Sequence, residues 1–200
     1  MNIGLYFGSF NPIHNGHLII ANYTLNNTDL DEVWFVVSPQ NPFKNSSVLL
    51  NEQHRLSLVQ TALDGEIKIK ASNVEFKLPK PSYTSNTLVY LKENYPKHSF
   101  TIIMGSDGFQ NIDKWKNASY ILKNHKVFIY KRPGYDVINN VGADIKVLDA
   151  PQLEISSSFI RKQISLKKSI RYYVPDSVMI EIEREQYYSS HLENPAKGDT

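Results

Sequence analysis

Apolar positions in this chain come as short, almost unbroken runs, separated by stretches in which they recur at helical spacing. Met1 to Phe7 is one such run, Glu32 to Ser38 a second that ends at Pro39, and Phe100 to Met104 a third. Runs of this length without polar alternation predict strands buried on both faces of a parallel sheet. Ile67 to Ser72 alternates and reads as a more exposed strand. His125 to Tyr130, closed by Pro133-Gly134, and Ile145 to Leu148 add two more. Between the strands, Leu18 to Leu25 has helical periodicity and stops at Asn26-Asn27. Asn51 to Leu63 reads as a helix with Asn51 at its N-cap, and Ser85 to Tyr95 as one with Leu88 and Leu91 inward and Pro96 as its stop. Ser157 to Leu166 and Val174 to Gln186 predict two C-terminal helices. Strands alternating with helices imply an α/β, doubly wound, mainly parallel sheet of five to six strands, joined by right-handed crossovers. The expected arrangement is a single domain over residues 1–188 with a small C-terminal helical part, followed by a polar, flexible tail at 189–200.

Composition narrows this without changing it. Two hundred residues suffice for one well-packed domain. The net charge of +2 arises from interspersed charges of both signs, so nucleic acid and membrane surfaces are not the expected partners. Lys167-Lys168 reads as a solvated face. There is no apolar stretch of membrane-spanning length and no signal-like N-terminus, and the absence of cysteine removes a disulfide framework. A cytoplasmic location is the resulting expectation; a homo-oligomer is left open.

In doubly wound sheets, ligands bind beyond the carboxyl ends of the strands. Neither G-x-G-x-x-G nor a P-loop follows the first strand. In their place stands Gly8-Ser9-Phe10-Asn11-Pro12-Ile13-His14-Asn15-Gly16-His17-Leu18. Gly8 lets the backbone bend and an anion approach, Pro12 stiffens the loop, and the helix begins close to His14. A helix N-terminus carries unpaired N–H groups and partial positive charge, which favour phosphate. His14 and His17, three apart, face the same way on that first turn and can donate to one phosphate. A zinc site is the competing reading of His-x-x-His, but with no cysteine its third protein ligand would have to come from the other histidines or from carboxylates at unremarkable spacings.

Four other loops carry candidate chemistry. Ser38-Pro39-Gln40-Asn41-Pro42-Phe43-Lys44 is stiff and ends in a mobile charge, Lys44. Pro81-Ser82-Tyr83-Thr84-Ser85-Asn86-Thr87-Leu88 runs into a helix that Thr84 or Ser85 can cap. Gly105-Ser106-Asp107 follows a strand, with Asp107 able to accept from ribose hydroxyls. Trp115, eight residues further on, offers a flat face for an aromatic ring, whereas Trp34 in mid-strand reads as core. Ile155-Ser156-Ser157-Ser158-Phe159-Ile160-Arg161 opens another helix with hydroxyls and a planar cation.

The histidine segment resembles the (T/H)-x-G-H motif of the nucleotidyltransferase superfamily, and more closely the opening of bacterial nicotinate-nucleotide adenylyltransferases. The other segments resemble that family's motifs, in order, from Met1 to about Val178, although Phe43 stands where many members have His. The resemblance implies a Rossmann-like fold and transfer of an adenylyl group from ATP, with Mg²⁺ carried by its phosphates, to nicotinate mononucleotide. It implies catalytic roles for His14, His17, Lys44 and Arg161. ATP contacts would come from Gly8, Ser9, Phe10, Gly16, Gly105, Asp107, Ile155, Ser156, Ser157 and Ser158. Nicotinate mononucleotide contacts would come from Asn11, Tyr83, Thr84 and Trp115, and no metal ligand from the protein. Arg171-Tyr172-Tyr173-Val174-Pro175 resembles the family's closing, structural segment. Alternatives are a related enzyme with a nicotinamide mononucleotide or phosphopantetheine acceptor, or a non-catalytic nucleotide-binding regulatory module.

Overall fold

The computed structural model describes residues 1–40, 49–140 and 142–189. Its sheet contains β1 (Asn2–Gly8), β2 (Glu32–Val37), β3 (Ile69–Ser72), β4 (Ser99–Gly105), β5 (Val127–Tyr130) and β6 (Ile145–Leu148). The strands lie in the order β3-β2-β1-β4-β5-β6, and every adjacent pair is parallel. The helices are α1 (Asn15–Asn26), α2 (Glu52–Ala62), α3 (Thr84–Asn94), α4 (Ser106–Phe109), α5 (Ala118–Asn124), α6 (Ser157–Ser165) and α7 (Asp176–Arg184).

The unbroken apolar runs are explained by burial on both sides of the sheet. Ile3 and Leu5 of β1, with Ile102, Met104 and Ile129, join Leu88 and Leu91 of α3 and Ile121 of α5 on one face. Tyr6, Val33, Phe35, Ile103 and Phe128 point to the other, against Ala21 of α1, Leu58 and Val59 of α2, Ile160 of α6 and Val178 and Ile182 of α7. Each such side chain contributes about 1.5–3 kcal/mol when fully buried, so single-face patterns are replaced by continuous ones. The direction of winding reverses between β1 and β4, and a crevice opens beyond their carboxyl ends.

The structure departs from the sequence pattern at several edges. The β3 ladder starts at Ile69, opposite Val33, and Ile67 is 81 % exposed. Helix α7 starts at Asp176 rather than Val174: Pro175, at ψ 147°, takes the cap position, and its ring disfavours the helical conformation for Val174 before it. Tyr83 occupies the N-cap of α3 and no side chain caps it, so neither Thr84 nor Ser85 has the capping role. Trp34 is half-buried at the edge of the core on the α3 and α5 face of the sheet, its Nε1 donating to Glu32 (2.7 Å), rather than central in it. Helices α4 and α5 are too short for periodicity to reveal. Asn51 does cap α2, accepting from the Gln53 N–H (2.8 Å).

Candidate active site

The loop between β1 and α1 is shaped by ring packing. A Cβ at Gly8 would lie 2.6 Å from the Phe10 ring, so this glycine makes room for Phe10, which is a different reason from the anion approach expected of it. Phe10 is buried, at φ 45°, and sets its ring edge-on to Tyr6, Phe35 and His17. His14 is the N-cap of α1, and its ring stacks on that of His17 at 3.7 Å with 21° between planes. A side chain at Gly16 would come within 3.0 Å of His14 Nδ1, so Gly16 sits behind the histidine as its seat.

The two imidazoles have different electrostatic positions. The His14 N–H donates to His17 Nδ1 (3.3 Å), which makes Nδ1 the acceptor and leaves the proton of neutral His17 on Nε2. Burial, and then the charge of Arg132, lower the His14 pKa to about 4. His14 is therefore neutral at pH 7 and can serve as a hydrogen-bond donor.

Both rings line a cleft of about 570 Å³ at the carboxyl ends of the strands. Gly8, Ser9, Phe10 and Asn11 also line it, as do Gly105 at the end of β4 and Asp107 just past it, and Ile155, Ser156, Ser157, Ser158 and Arg161 around the start of α6. Tyr83, Thr84 and Trp115 form another part of its wall. Lys44 lies outside the described residues.

Helix α6 is docked directly on the histidine loop. Ser156 caps it through the Phe159 N–H (3.2 Å), Ser157 Oγ donates to the Pro12 carbonyl (2.8 Å), and Arg161 donates to the Asn11 carbonyl (2.7 Å). From the opposite side the closing segment holds α1: the Asn15 N–H donates to the Tyr173 carbonyl (2.9 Å), and its side chain to that of Tyr172 (2.7 Å).

The structure adds residues that sequence reasoning missed. Arg132, just after β5, lies 3.3 Å from Asp107 Oδ1, and its N–H donates to Ser106 Oγ (2.9 Å). A Cβ at Gly105 would displace Asp107 Oδ1 and crowd Arg132 Nε, so glycine leaves room for this ion pair in the cleft wall. Tyr130, hydrogen-bonded to the buried Tyr6 hydroxyl (3.1 Å), carries Arg132 beside its ring. The signal for Arg132 was its place at the carboxyl end of a strand. Glu75, 1 % exposed, also lines the cleft and accepts from Thr87 Oγ1 (2.9 Å); burial raises its pKa. Lys116 reaches over the Tyr83 ring at 4.4 Å. Among the described residues no group of three His, Cys, Asp or Glu could hold a metal ion. No helix among them is long and apolar enough to cross a membrane.

A parallel sheet whose switch point carries two imidazoles at a helix N-terminus, facing two guanidiniums and a second helix N-terminus, defines an α/β protein of the nucleotidyltransferase type. Residues 5–163 match the cytidylyltransferase-like family, and the chain belongs to it. A relative from Flavobacterium psychrophilum is 47% identical over 191 residues, covering 94% of this chain and 99% of its own. Another from Cytophaga hutchinsonii is 47% identical over 194 residues, covering 96% and 100%. Both carry the name "Probable nicotinate-nucleotide adenylyltransferase", and this chain is a member of their family. The fold is also that of Plasmodium falciparum nicotinic acid mononucleotide adenylyltransferase, solved with NaAD, at a TM-score of 0.82 and 23% identity over 96% of this chain and 99% of that one.

Proposed function

We propose that the chain is a nicotinate-nucleotide adenylyltransferase. It transfers the adenylyl group of ATP to nicotinate mononucleotide, forming nicotinate adenine dinucleotide and pyrophosphate. The observation that carries this reading is the stacked His14–His17 pair at the N-terminus of α1, facing the Arg132 and Arg161 side of one cleft. In the reaction a phosphate oxygen of the mononucleotide bonds to the α-phosphorus of ATP while the bond to the α–β bridging oxygen breaks. The attacking oxygen is already anionic, so no general base is required. The residues' work is alignment and charge stabilisation.

In this assignment His17 Nε2–H and neutral His14 donate to the α-phosphate as charge builds there. Arg161, the serines at the start of α6 and Lys44 neutralise the rest of the triphosphate, and Arg132 adds a cation opposite His14. Asp107 accepts from a ribose hydroxyl from within its ion pair. Tyr83, Thr84 and Trp115 receive the pyridine end, where the N-terminus of α3 suits a carboxylate better than an amide. A divalent cation, Mg²⁺ in this reading, enters as part of the ATP complex, bound through phosphate and water. The cytoplasm, where ATP is held, is the compartment that fits.

The test is pyrophosphate release from ATP–Mg²⁺ with nicotinate or nicotinamide mononucleotide. Release with the acid is expected. No release with either would leave a binding module, and faster release with the amide would overturn the acceptor.

A further inference from the structure

Asn11 stands at the centre of the histidine loop, yet much of its hydrogen bonding faces inward. Its peptide carbonyl accepts from Arg161 (2.7 Å), and its side-chain Oδ1 accepts from the Leu50 N–H (3.2 Å). Oδ1 also accepts from the hydroxyl of Tyr188 at 2.9 Å, in a buried bond between residues 177 apart in sequence.

Tyr188 does not line the cleft. It comes from the turn after α7, and the backbone there is unusual: Gln186 has φ 55° and Tyr188 φ 66°, both left-handed without being glycine. Such residues persist only where their surroundings over-determine them. Those surroundings are substantial. Glu181 of α7 accepts from Ser57 (2.7 Å) and Thr61 (2.5 Å) of α2, which fixes the helix that delivers the turn. The Tyr187 N–H closes on the Ile182 carbonyl (3.0 Å), and its hydroxyl meets His54 Nδ1 (2.7 Å), so the two tyrosines are divided between α2 and the loop. The Tyr188 ring is 8 % exposed, and burial drives its pKa up, which keeps the hydroxyl a donor.

We propose that Tyr188 is a positioning residue for the transfer reaction: its hydroxyl fixes Asn11, and through the Asn11 peptide it fixes Arg161 against the histidine loop. The proposal rests on the function assigned above. The C-terminal turn is thereby part of the machinery that aligns the substrates, though it touches none of them. A small rotation of Asn11 would shift one of the acceptor's contacts and the anchor of Arg161 together, and alignment errors of this kind carry large kinetic penalties.

Tyr188→Phe keeps the buried ring and deletes only the donor. Expected is a fall of about 10-fold in kcat/KM with nicotinate mononucleotide, with KM for that substrate raised. A loss of folded protein alone would lower kcat and leave KM unchanged. Tyr187→Phe, which deletes the contact to His54, should leave both constants unaltered. In an Asn11→Ala background, Tyr188→Phe should have no further effect. Hydrogen exchange of the ligand-free protein supplies a readout independent of turnover: residues 9–13 should exchange faster in Tyr188→Phe and β4 should not. Wild-type kinetics in Tyr188→Phe overturn the proposal, as does an undiminished effect without Asn11. A wild-type chain that releases no pyrophosphate overturns the functional reading and this proposal with it; unaltered exchange with active enzyme overturns the proposal alone.

Discussion

Arg55 is fully buried, and its guanidinium binds backbone carbonyls on three separate stretches. Nε donates to Leu50 (2.7 Å), Nη1 to Ser9 (2.5 Å) and Ser38 (2.9 Å), and Nη2 to Pro39 (3.0 Å). One side chain on α2 therefore ties the loop after β1 to the loop after β2. Arg55→Met preserves the apolar stem and strands four acceptors. At roughly 1 kcal/mol for each stranded carbonyl, the loss approaches about 4 kcal/mol. Releasing the cation from burial, which already lowers its pKa, returns part of that. A net loss of about 2–4 kcal/mol is a large share of a total stability of about 5–15 kcal/mol. For a chain of this size it corresponds to a fall in Tm of about 5–15 °C. Scanning calorimetry of the wild type, Arg55→Met and Arg55→Lys measures it, the lysine falling between because one ammonium cannot span all the carbonyls. Activity should fall further than the folded fraction does, since Ser9 and Ser38 both line the cleft. A methionine variant within 2 °C of wild type and with unchanged kcat/KM would refute the reasoning.

Removing the donor in His17→Ala should lower kcat about 100- to 1,000-fold with little change in KM, as for loss of an oxyanion donor; steady-state pyrophosphate release reads this, and a near-normal kcat ends the assignment. Stability should also follow His14 titration. With its pKa lowered from 6.5 to about 4 in the fold, the unfolded chain takes up a proton that the folded one refuses, so stability is present above about pH 6.5 and is lost as pH falls towards 4, by about 2 kcal/mol at pH 5. The drop in Tm from pH 7.5 to 5 should shrink in His14→Asn, and an equal drop in both proteins would remove His14 as its source. Trp115→Ala should raise KM for nicotinate mononucleotide about 10- to 100-fold through lost ring stacking, measured by varying that substrate at saturating ATP; an unchanged KM would take Trp115 out of the acceptor site.

What the sequence made legible follows the geometry of a doubly wound sheet. Because every strand points the same way, the loops after β1 and β4 and the start of α6 had to gather at one end, and local motifs were enough to find them. The residues that hold those loops in place left no comparable trace. Arg55 reads as an ordinary helix cation, Glu75 as one polar position between Val74 and Phe76, and Tyr188 as the last residue of the expected domain, past the end of its predicted C-terminal helix. Their partners lie 46, 12 and 177 residues away respectively, and no periodicity or motif encodes such a pairing. Gly8 shows the same limit from the other side: glycine was foreseen, but its reason, the seat of the Phe10 ring, exists only once the loop has folded. The division has a consequence for catalysis. An enzyme that works by alignment, with an attacking group already charged, gains little from the chemical identity of its donors unless their spacing is held to a fraction of an ångström. On the proposed function, His14, His17 and Arg161, which the motifs disclose, supply the donors, while Arg55 and Tyr188, neither of which lines the cleft, hold the loops that carry them and Glu75 forms part of the wall itself.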